Sequence, residues 1–317
     1  MLNFLLLVTG FIVLIYGANL LVDSASALAK KLNVPTIVIG LTIVALGTSA
    51  PELVVNIFAA IDHNSNIALG NVVGSNLFNI FAILGISAFI YPLTVKSKTT
   101  WIEVPLALLS AIILLVLAND VLIDKNTESV ISRIDGIIFV SFFLIFIVYN
   151  IQLILSGSYD EEFKTKNYSI KKSILFIIGG VIFLVLGGKA IVYSATEIAR
   201  LFGIPERIIS LTIISIGTSL PELATSVIAA RKKNVDIAIG NIVGSNIFNV
   251  FFILGTSAII YPVTVSLSAQ YDLLINILAS LLLFIFIFTG KGRKINRWEG
   301  LIFMILYVLY IISIIVF

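Results

Sequence analysis

Long apolar stretches separated by short polar breaks run from one end of the chain to the other. A helix needs roughly 20 apolar residues to cross a bilayer. Barrel strands would alternate in polarity, and runs such as Ile137-Ile138-Phe139-Val140 do not. The pattern therefore predicts an all-α membrane protein with ten membrane-spanning helices, over residues 3–22, 35–61, 66–92, 101–118, 134–156, 173–194, 205–230, 236–262, 270–290 and 298–316.

A repeat divides these helices into two sets of five. Residues 41–92 align without a gap with residues 211–262, and 31 of the 52 positions are identical. Because five is odd, the second set enters the membrane from the other face, which is the inverted topology of many transporters. The predicted units are a first five-helix repeat over 1–156, a linker over 157–172 and a second, inverted five-helix repeat over 173–317.

The first 22 residues belong to this repeat and are not read as a signal peptide. They lack a basic leading segment. Gly10 and Gly17 also recur 170 residues later as Gly180 and Gly187. We therefore expect a permanent first helix.

Composition narrows the chemistry of the chain. It is 59% hydrophobic and only 12% charged, with a mean hydropathy of +1.14. It has no cysteine, which excludes disulfides and thiolate metal sites, and its single histidine, His63, cannot form a histidine metal site alone. An enzyme is disfavoured, because the sequence has no His-Glu-x-x-His motif and no set of nucleophile and base.

Lysine and arginine are concentrated in the loops on one side. The loops after odd-numbered helices carry 15 of these residues, and the loops after even-numbered helices carry four. We call the first set of loops the basic face. The excess predicts that the basic face is cytoplasmic and that both termini lie outside. The minimal architecture, with no inserted soluble domain, predicts the cell membrane of a prokaryote.

Each repeat places one glutamate near the middle of a span, Glu52 in the second helix and Glu222 in the seventh. An ionised carboxylate at that depth costs several kcal/mol, so it marks a candidate functional site. Pairing with a basic residue is one alternative, but only Lys189 lies inside a span, where it can snorkel. A protonated acid is another alternative, and it does not explain the same offset in both repeats.

Pro51 and Pro221 directly precede the two acids, and a proline inside a helix removes one hydrogen bond and kinks or breaks the helix. We expect breaks over 45–49 and 215–219, where freed carbonyls make a cation site. A simple kink is the alternative, since membrane helices tolerate proline, but it does not account for a carboxylate beside each kink. Four hydroxyl groups lie at the expected breaks: Thr48, Ser49, Thr218 and Ser219. Thr48 would share a helix face with Glu52 if the helix continued.

The third and eighth spans carry glycines at Gly-x-x-x-Gly spacing, which predicts close helix packing. Two pairs of polar residues four apart lie just beyond them, and their oxygens are expected to face the glutamates: Ser75 with Asn79, and Ser245 with Asn249. Four further asparagines are expected to make structural polar contacts: Asn71, Asn76, Asn241 and Asn246.

All of these candidate ligands are oxygen atoms. They suit hard cations such as Ca²⁺, Na⁺ or Mg²⁺ and disfavour Zn²⁺ or Cu²⁺. A flexible oxygen cage favours Ca²⁺ over Mg²⁺, which holds its waters tightly. One Ca²⁺ or two Na⁺ would neutralise the two glutamates. The residues alone predict a midplane cation site in an inverted-repeat transporter.

The two motif blocks, Gly-Thr-Ser-x-Pro-Glu at 47–52 and Gly-Asn-x-Val-Gly-Ser-Asn-x-Phe-Asn at 70–79, each with its repeat, resemble the α-repeats of the cation/Ca²⁺ exchanger superfamily. They are most similar to those of short prokaryotic Na⁺/Ca²⁺ antiporters, and the resemblance covers essentially the whole chain. It implies alternating access, in which the first and sixth helices slide over a core of the other eight. It also implies electrogenic exchange of three Na⁺ for one Ca²⁺.

The resemblance also assigns roles to the candidate ligands. It implies that Glu52 and Glu222 bridge both ions as transported substrates, with no cofactor. It implies a cage completed by Thr48, Thr218 and the carbonyls of Ala45 and Ser215. It implies outer Na⁺ positions lined by Ser49, Ser75, Ser219 and Ser245, and a middle position beside Asn79 and Asn249.

Asn249 bears on the choice of ion. Some relatives, including K⁺-dependent ones, have aspartate here, so the neutral amide predicts K⁺-independent exchange.

The linker is too short for the regulatory Ca²⁺-binding domains of animal exchangers. The expected partners are therefore the ions and the lipid bilayer, without nucleic acid and with a monomer as the working unit. An H⁺/Ca²⁺ or other cation antiporter of the same superfamily stays an alternative, as does a cation channel.

Overall fold

The computed structural model describes residues 2–123, 125, 127–156, 166–203, 215–289 and 292–316, which are almost entirely helical. The helices in this part of the chain are α1 (Leu2–Leu32), α2 (Thr36–Thr48), α3 (Ala50–Ile61), α4 (Ser65–Ile90), α5 (Thr99–Leu117), α6 (Asp120–Ile123), α7 (Arg133–Ser156), α8 (Ile170–Leu201), α9 (Ser215–Gly217), α10 (Leu220–Arg231), α11 (Val235–Ile260), α12 (Leu267–Thr289) and α13 (Arg297–Val316). The described strands are β1 (Leu93–Thr94), β2 (Ser129–Ile131), β3 (Val263–Val265) and β4 (Lys294–Ile295).

Eight of the described helices are long and apolar enough to cross a membrane, and the bent pair α2 and α3 provides a ninth span. The predicted span 205–230 begins outside the described residues, and its described part is α9 and α10. α1 and α8 extend past the predicted ends at residues 22 and 194, because the small polar residues there, such as Ser24, are buried against other helices and not exposed to water.

The loops sort into two faces, as inverted topology requires. On the basic face β1 pairs with β4, with Leu93 opposite Ile295, and Lys96 Nζ lies 2.8 Å from Asp236 Oδ2. On the opposite face β2 pairs with β3, with Ile131 opposite Val263. Each strand pair joins one loop from each repeat, so the two repeats interlock at both ends.

α1 and α8 pack against each other as an antiparallel pair. A Cβ atom at Gly17 would lie 2.9 Å from the Gly180 oxygen, and one at Gly187 would lie 2.9 Å from the Gly10 oxygen. The backbones can approach this closely only because these residues lack side chains. Shifting the residue numbers by 170 turns the first of these contacts into the second, so the pair follows the internal two-fold symmetry.

α4 and α11 are the most buried spans and form the centre of the core. A Cβ atom at Gly244 would lie 2.6 Å from the Leu41 oxygen, so the predicted close packing is present where α11 crosses α2. At Gly70 no described atom lies within 4 Å of that position. Both central helices widen into π-helical turns, at Phe78–Leu84 and Asn249–Leu254, which is common beside functional sites.

Candidate functional site

The predicted helix breaks position the two glutamates. α2 ends at Thr48 and α3 begins at Ala50, with a bend of 49° between them. α9 and α10 are separated in the same way by Thr218 and Ser219. Each glutamate therefore lies in the first turn of a new helix, where the unpaired N–H groups favour a carboxylate.

Each glutamate is held by a serine of the other repeat. Ser49 Oγ donates to Glu222 Oε1 at 2.8 Å, and Ser219 Oγ donates to Glu52 Oε1 at 2.9 Å. One further serine extends each of these contacts. Ser75 Oγ lies 3.0 Å from Ser219 Oγ, and Ser245 Oγ lies 3.0 Å from Ser49 Oγ. Ser75 also approaches Glu52 Oε1 at 3.5 Å. The site is shared between the repeats.

The two threonines at the breaks bond to asparagines of the opposite repeat. Thr48 Oγ1 donates to Asn241 Oδ1 at 2.9 Å, and Thr218 Oγ1 donates to Asn71 Oδ1 at 3.3 Å. Thr48 does not share a continuous helix face with Glu52, because the helix ends at Thr48, within the predicted break. A hydroxyl whose hydrogen is used in this way keeps its lone pairs for a cation.

The two main-chain carbonyls expected as ligands belong to Ala45 and Ser215. The Ala45 oxygen accepts hydrogen bonds from the Ser49 N–H at 2.9 Å and from the Thr48 hydroxyl at 3.3 Å. Ser215 is the first residue of α9, and its side chain lies outside the described part of the structure.

The asparagines of α4 and α11 bond across the two-fold axis. Asn79 Nδ2 donates to Asn246 Oδ1 at 2.9 Å, and Asn249 Nδ2 donates to Asn76 Oδ1 at 3.0 Å. Asn76 and Asn246 also donate to each other's backbone oxygen at 3.3 and 3.4 Å. The expected structural role of these two asparagines is borne out by these contacts, and they fix which way Asn79 and Asn249 point their oxygens.

Four side-chain oxygens in this cluster are buried and have no hydrogen-bond partner among the described residues: Glu52 Oε2, Glu222 Oε2, Asn79 Oδ1 and Asn249 Oδ1. Proteins normally satisfy nearly all buried polar atoms, and leaving one unsatisfied costs about 1–3 kcal/mol. All four are acceptors, so a donor or a cation satisfies them. Among the described residues, no three His, Cys, Asp or Glu side chains lie close enough together to hold a metal ion. The donor set of this cluster is therefore two carboxylates surrounded by neutral oxygens.

A cavity of about 510 Å³ reaches the site from one side. It lies between α8 and the two helix breaks, and its lining includes Pro51, Val55, Gly217 and Thr218. Its lining residues on α8 run from Val185 to the end of the helix, so it opens toward the opposite face. On the basic side, α1 packs along α10.

Sequence reasoning missed two features of this site. It did not foresee that each serine pairs with the glutamate of the other repeat. It also missed Asn56, which accepts from Asn71 Nδ2 at 2.7 Å and donates to the Ala68 oxygen at 2.9 Å. The signal for Asn56 was its position, one helical turn after Glu52 on the same face.

The fold and the site define an inverted-repeat membrane transporter with a buried oxygen-lined centre. A family model described as sodium/calcium exchanger protein matches residues 2–152 and 172–316. The chain therefore belongs to the sodium/calcium exchanger family. This makes it a multi-pass membrane antiporter of cations and not an enzyme, with Ca²⁺ and Na⁺ as substrates.

Individual relatives agree with this placement. The chain is 35% identical to the sodium/calcium exchanger MaX1 of Methanosarcina acetivorans, over 98% of this chain and 97% of MaX1. It is 35% identical to the inner membrane protein YrbG of Escherichia coli, over 81% and 79% of the two chains. A solved structure of the sodium-calcium exchanger NCX_Mj, soaked with 2.5 mM Na⁺ and 0.1 mM Ca²⁺, superimposes with a TM-score of 0.84 at 31% identity, covering 99% of this chain and 98% of that one.

Proposed function

We propose that this chain is a Na⁺/Ca²⁺ antiporter that works by alternating access. The observation that carries the proposal is the set of four buried oxygens without partners, on Glu52, Glu222, Asn79 and Asn249. Two of them belong to carboxylates and two to amides, which is a donor set for Ca²⁺ and Na⁺. The cavity on one side of this set supports a site that faces one side of the membrane at a time.

We also propose a stoichiometry of three Na⁺ per Ca²⁺, as the family resemblance implies. Two ionised glutamates give the site a charge of −2, which Ca²⁺ neutralises and three Na⁺ convert to +1. Transport would then move one charge per cycle, worth about 2.3 kcal/mol per 100 mV. In this proposal Glu52 and Glu222 bind both ions, Thr48 and Thr218 add hydroxyl ligands, and the four serines line the Na⁺ positions.

We also propose that exchange does not need K⁺. Asn249 donates through its amide to Asn76 Oδ1 at 3.0 Å, which an ionised aspartate could not do. The neutral amide is therefore built into the core, and it leaves the site without a third negative charge. In the proposed orientation the basic face is cytoplasmic and both termini are extracellular, in the cell membrane of a prokaryote.

Proteoliposomes test the function directly. We expect Na⁺-loaded vesicles to take up ⁴⁵Ca²⁺ when diluted into Na⁺-free buffer. Three Na⁺ would leave for each Ca²⁺ that enters, so one positive charge leaves the vesicle in each cycle. Uptake should therefore be faster when valinomycin and a K⁺ gradient set the interior positive than when they set it negative. Glu52→Gln and Glu222→Gln should each reduce uptake at least 100-fold, since each removes a charged ligand. Glu103→Gln is the matched control, because Glu103 is a buried glutamate outside the site, bonded to Tyr149 at 2.6 Å.

The outcomes separate the alternatives. Uptake that follows an imposed pH gradient and ignores Na⁺ would assign the protein to proton-coupled exchange. Uptake without any counter-ion gradient would indicate a channel. Normal uptake by either site variant would contradict the shared two-glutamate site, whatever the coupling ion.

A further inference from the structure

The core obeys the internal two-fold symmetry at both faces. His63 stacks on Tyr261 with ring centroids 3.8 Å apart, and the equivalent pair 170 residues away places Lys233 Nζ 5.8 Å from the Tyr91 ring. Asn64 and Asn234 are equivalent too, and each caps the following helix through its side chain. Contacts within the core are therefore made twice, once at each end of the molecule.

On the basic face, polar side chains bond the pair of α1 and α8 to the core. On the basic face Lys232 Nζ lies 2.6 Å from Asp23 Oδ1, and Asn234 Nδ2 donates to Ser26 Oγ at 2.8 Å. These bonds tie the end of α1 to the loop that follows α10. The equivalent of Ser26 is Thr196 on α8, whose buried hydroxyl has no partner among the described residues.

At the equivalent positions on the opposite face, the residue types could form a similar set of polar bonds between α8 and the core. The offset maps Asn234 onto Asn64, so an asparagine amide is available for Thr196 just as one is for Ser26. It maps Asp23 onto Tyr193 and Lys232 onto Asp62, so an ion pair becomes a hydroxyl donor and a carboxylate acceptor. In this structure the cavity lies beside Tyr193 and Thr196 and keeps α8 away from α3.

We propose that Asp23–Lys232 and Ser26–Asn234 form a latch that closes the basic face, and that Tyr193–Asp62 and Thr196–Asn64 form the counterpart latch when the opposite face closes. This inference rests on the alternating access proposed above and names the positioning residues that select between its two states. The structure is then the state open to the opposite face.

The two latches are unequal in chemistry. The basic-face latch contains an ion pair, and Lys166 joins it at 3.0 Å from Asp23 Oδ2. The hydrogen bond to Asp23 raises the pKa of Lys166. The counterpart contains only hydroxyl, amide and carboxylate groups. The state with the basic face closed should therefore be the more populated one in the absence of ions.

Thiol reactivity tests the basic-face latch, because the chain has no cysteine of its own. Val55→Cys lines the cavity, and its equivalent, Thr225→Cys, lies fully buried on α10. In detergent, a polar thiol reagent should modify Val55→Cys quickly and Thr225→Cys slowly. Adding Lys232→Gln should raise the ratio of the Thr225→Cys rate to the Val55→Cys rate by about two- to fivefold, the range for partly exposed ion pairs.

Lys233→Gln is the matched control for this measurement. It removes the neighbouring lysine, whose contact with Tyr91 joins two parts of the core, so the ratio of rates should not change. An equal shift in both variants, or no shift in Lys232→Gln, would overturn the assignment of Lys232 to the latch.

Oxidative cross-linking tests the counterpart latch. Ser26→Cys with Asn234→Cys should cross-link in the resting protein. Thr196→Cys with Asn64→Cys should cross-link only as the second state is visited, more slowly, and faster when Lys232→Gln is added. Failure of the second pair while the first forms would overturn the counterpart latch. Absence of Na⁺-driven Ca²⁺ uptake by the parent would overturn the proposed function instead, and the thiol and cross-linking rates would still report on the latches.

Discussion

The ligand cluster and the α1–α8 pair use the same internal two-fold axis differently. In the cluster, the bond from Ser49 to Glu222 at 2.8 Å is matched by the bond from Ser219 to Glu52 at 2.9 Å. Around the α1–α8 pair, α1 packs along α10 while a cavity separates α8 from α3. In the proposed mechanism, the symmetric ligand cluster binds the ions. The asymmetric packing of the α1–α8 pair decides from which side of the membrane the ions reach the cluster.

This difference has an energetic reason. A cluster with equivalent bonds from both repeats presents the same ligands whichever face is open, so moving the α1–α8 pair need not dismantle it. In the proposed mechanism the pair would slide past the breaks on glycine surfaces, since a Cβ atom at Gly47 would lie 2.7 Å from Val181 Cγ2 of α8. Changing either part separately should therefore alter either ion binding or the balance of states.

The largest effect is expected from breaking the symmetry of charge in the cluster. Asn249→Asp replaces the donor to Asn76 with an acceptor and makes the site charge more negative, from −2 to −3. Ca²⁺ would leave one buried negative charge uncompensated, a cost of about 3 kcal/mol or more. We expect Ca²⁺ uptake without K⁺ to fall at least 100-fold and added K⁺ to restore part of it, measured in proteoliposomes.

Asn79→Asp is the equivalent change in the other repeat, where it breaks the bond to Asn246 at 2.9 Å. It should cause a loss of similar size if the two sides of the cluster are equal. Full activity of either variant without K⁺ would show that the amide at that position is not needed and would contradict the assigned role.

An intermediate effect is expected at the surface on which α8 lies. A Cβ atom at Gly217 would overlap Val192 Cγ2 more severely than one at Gly47 overlaps Val181. Overpacking of this kind costs about 1–3 kcal/mol. Gly217→Ala should slow exchange about tenfold, which corresponds to roughly 1.4 kcal/mol, and Gly47→Ala should slow it less.

Val192→Ala supplies the control for this comparison, because it removes the methyl group that the new Cβ would meet. The Gly217→Ala/Val192→Ala double variant should recover most of the lost exchange rate. Failure to recover, with Ca²⁺ affinity unchanged, would mean that Gly217 is needed for the shape of the break and not for the passage of α8.

Much of the cluster was predictable because the repeat marks its members twice. Glu52 and Glu222 share an offset with their prolines, and the breaks lie where those prolines predict them. The crosswise bonds were not predictable from spacing. Two identical motifs are equally compatible with Ser49 serving its own glutamate or the distant one, and only the packing of the repeats decides between them.

The sequence also could not predict which face of the protein is closed in this structure. Ser26 and Thr196 occupy equivalent positions, and each has an asparagine at the equivalent offset, so the repeat alone does not show which face is closed. Hydrophobicity likewise predicts α1 to end near residue 22, whereas the helix continues to Leu32. Its last turns are polar and small because they pack on the core at the basic face.

The smallest effect is expected along the approach to the site. Lys189 lines the cavity on the opposite side, whereas the equivalent position in α1 is the neutral Asn19. An ammonium about 10 Å from an entering ion in a water-like medium repels it by about 0.4 kcal/mol per unit charge. Lys189→Gln should therefore strengthen apparent Na⁺ binding about twofold and Ca²⁺ binding about fourfold, because the energy scales with the charge of the ion. Apparent affinities measured at about 0.1 M and about 1 M ionic strength check this, since screening should abolish the gain at high salt. An equal gain for both ions, or one that persists at high salt, would mean that Lys189 acts by occupying space and not by its charge.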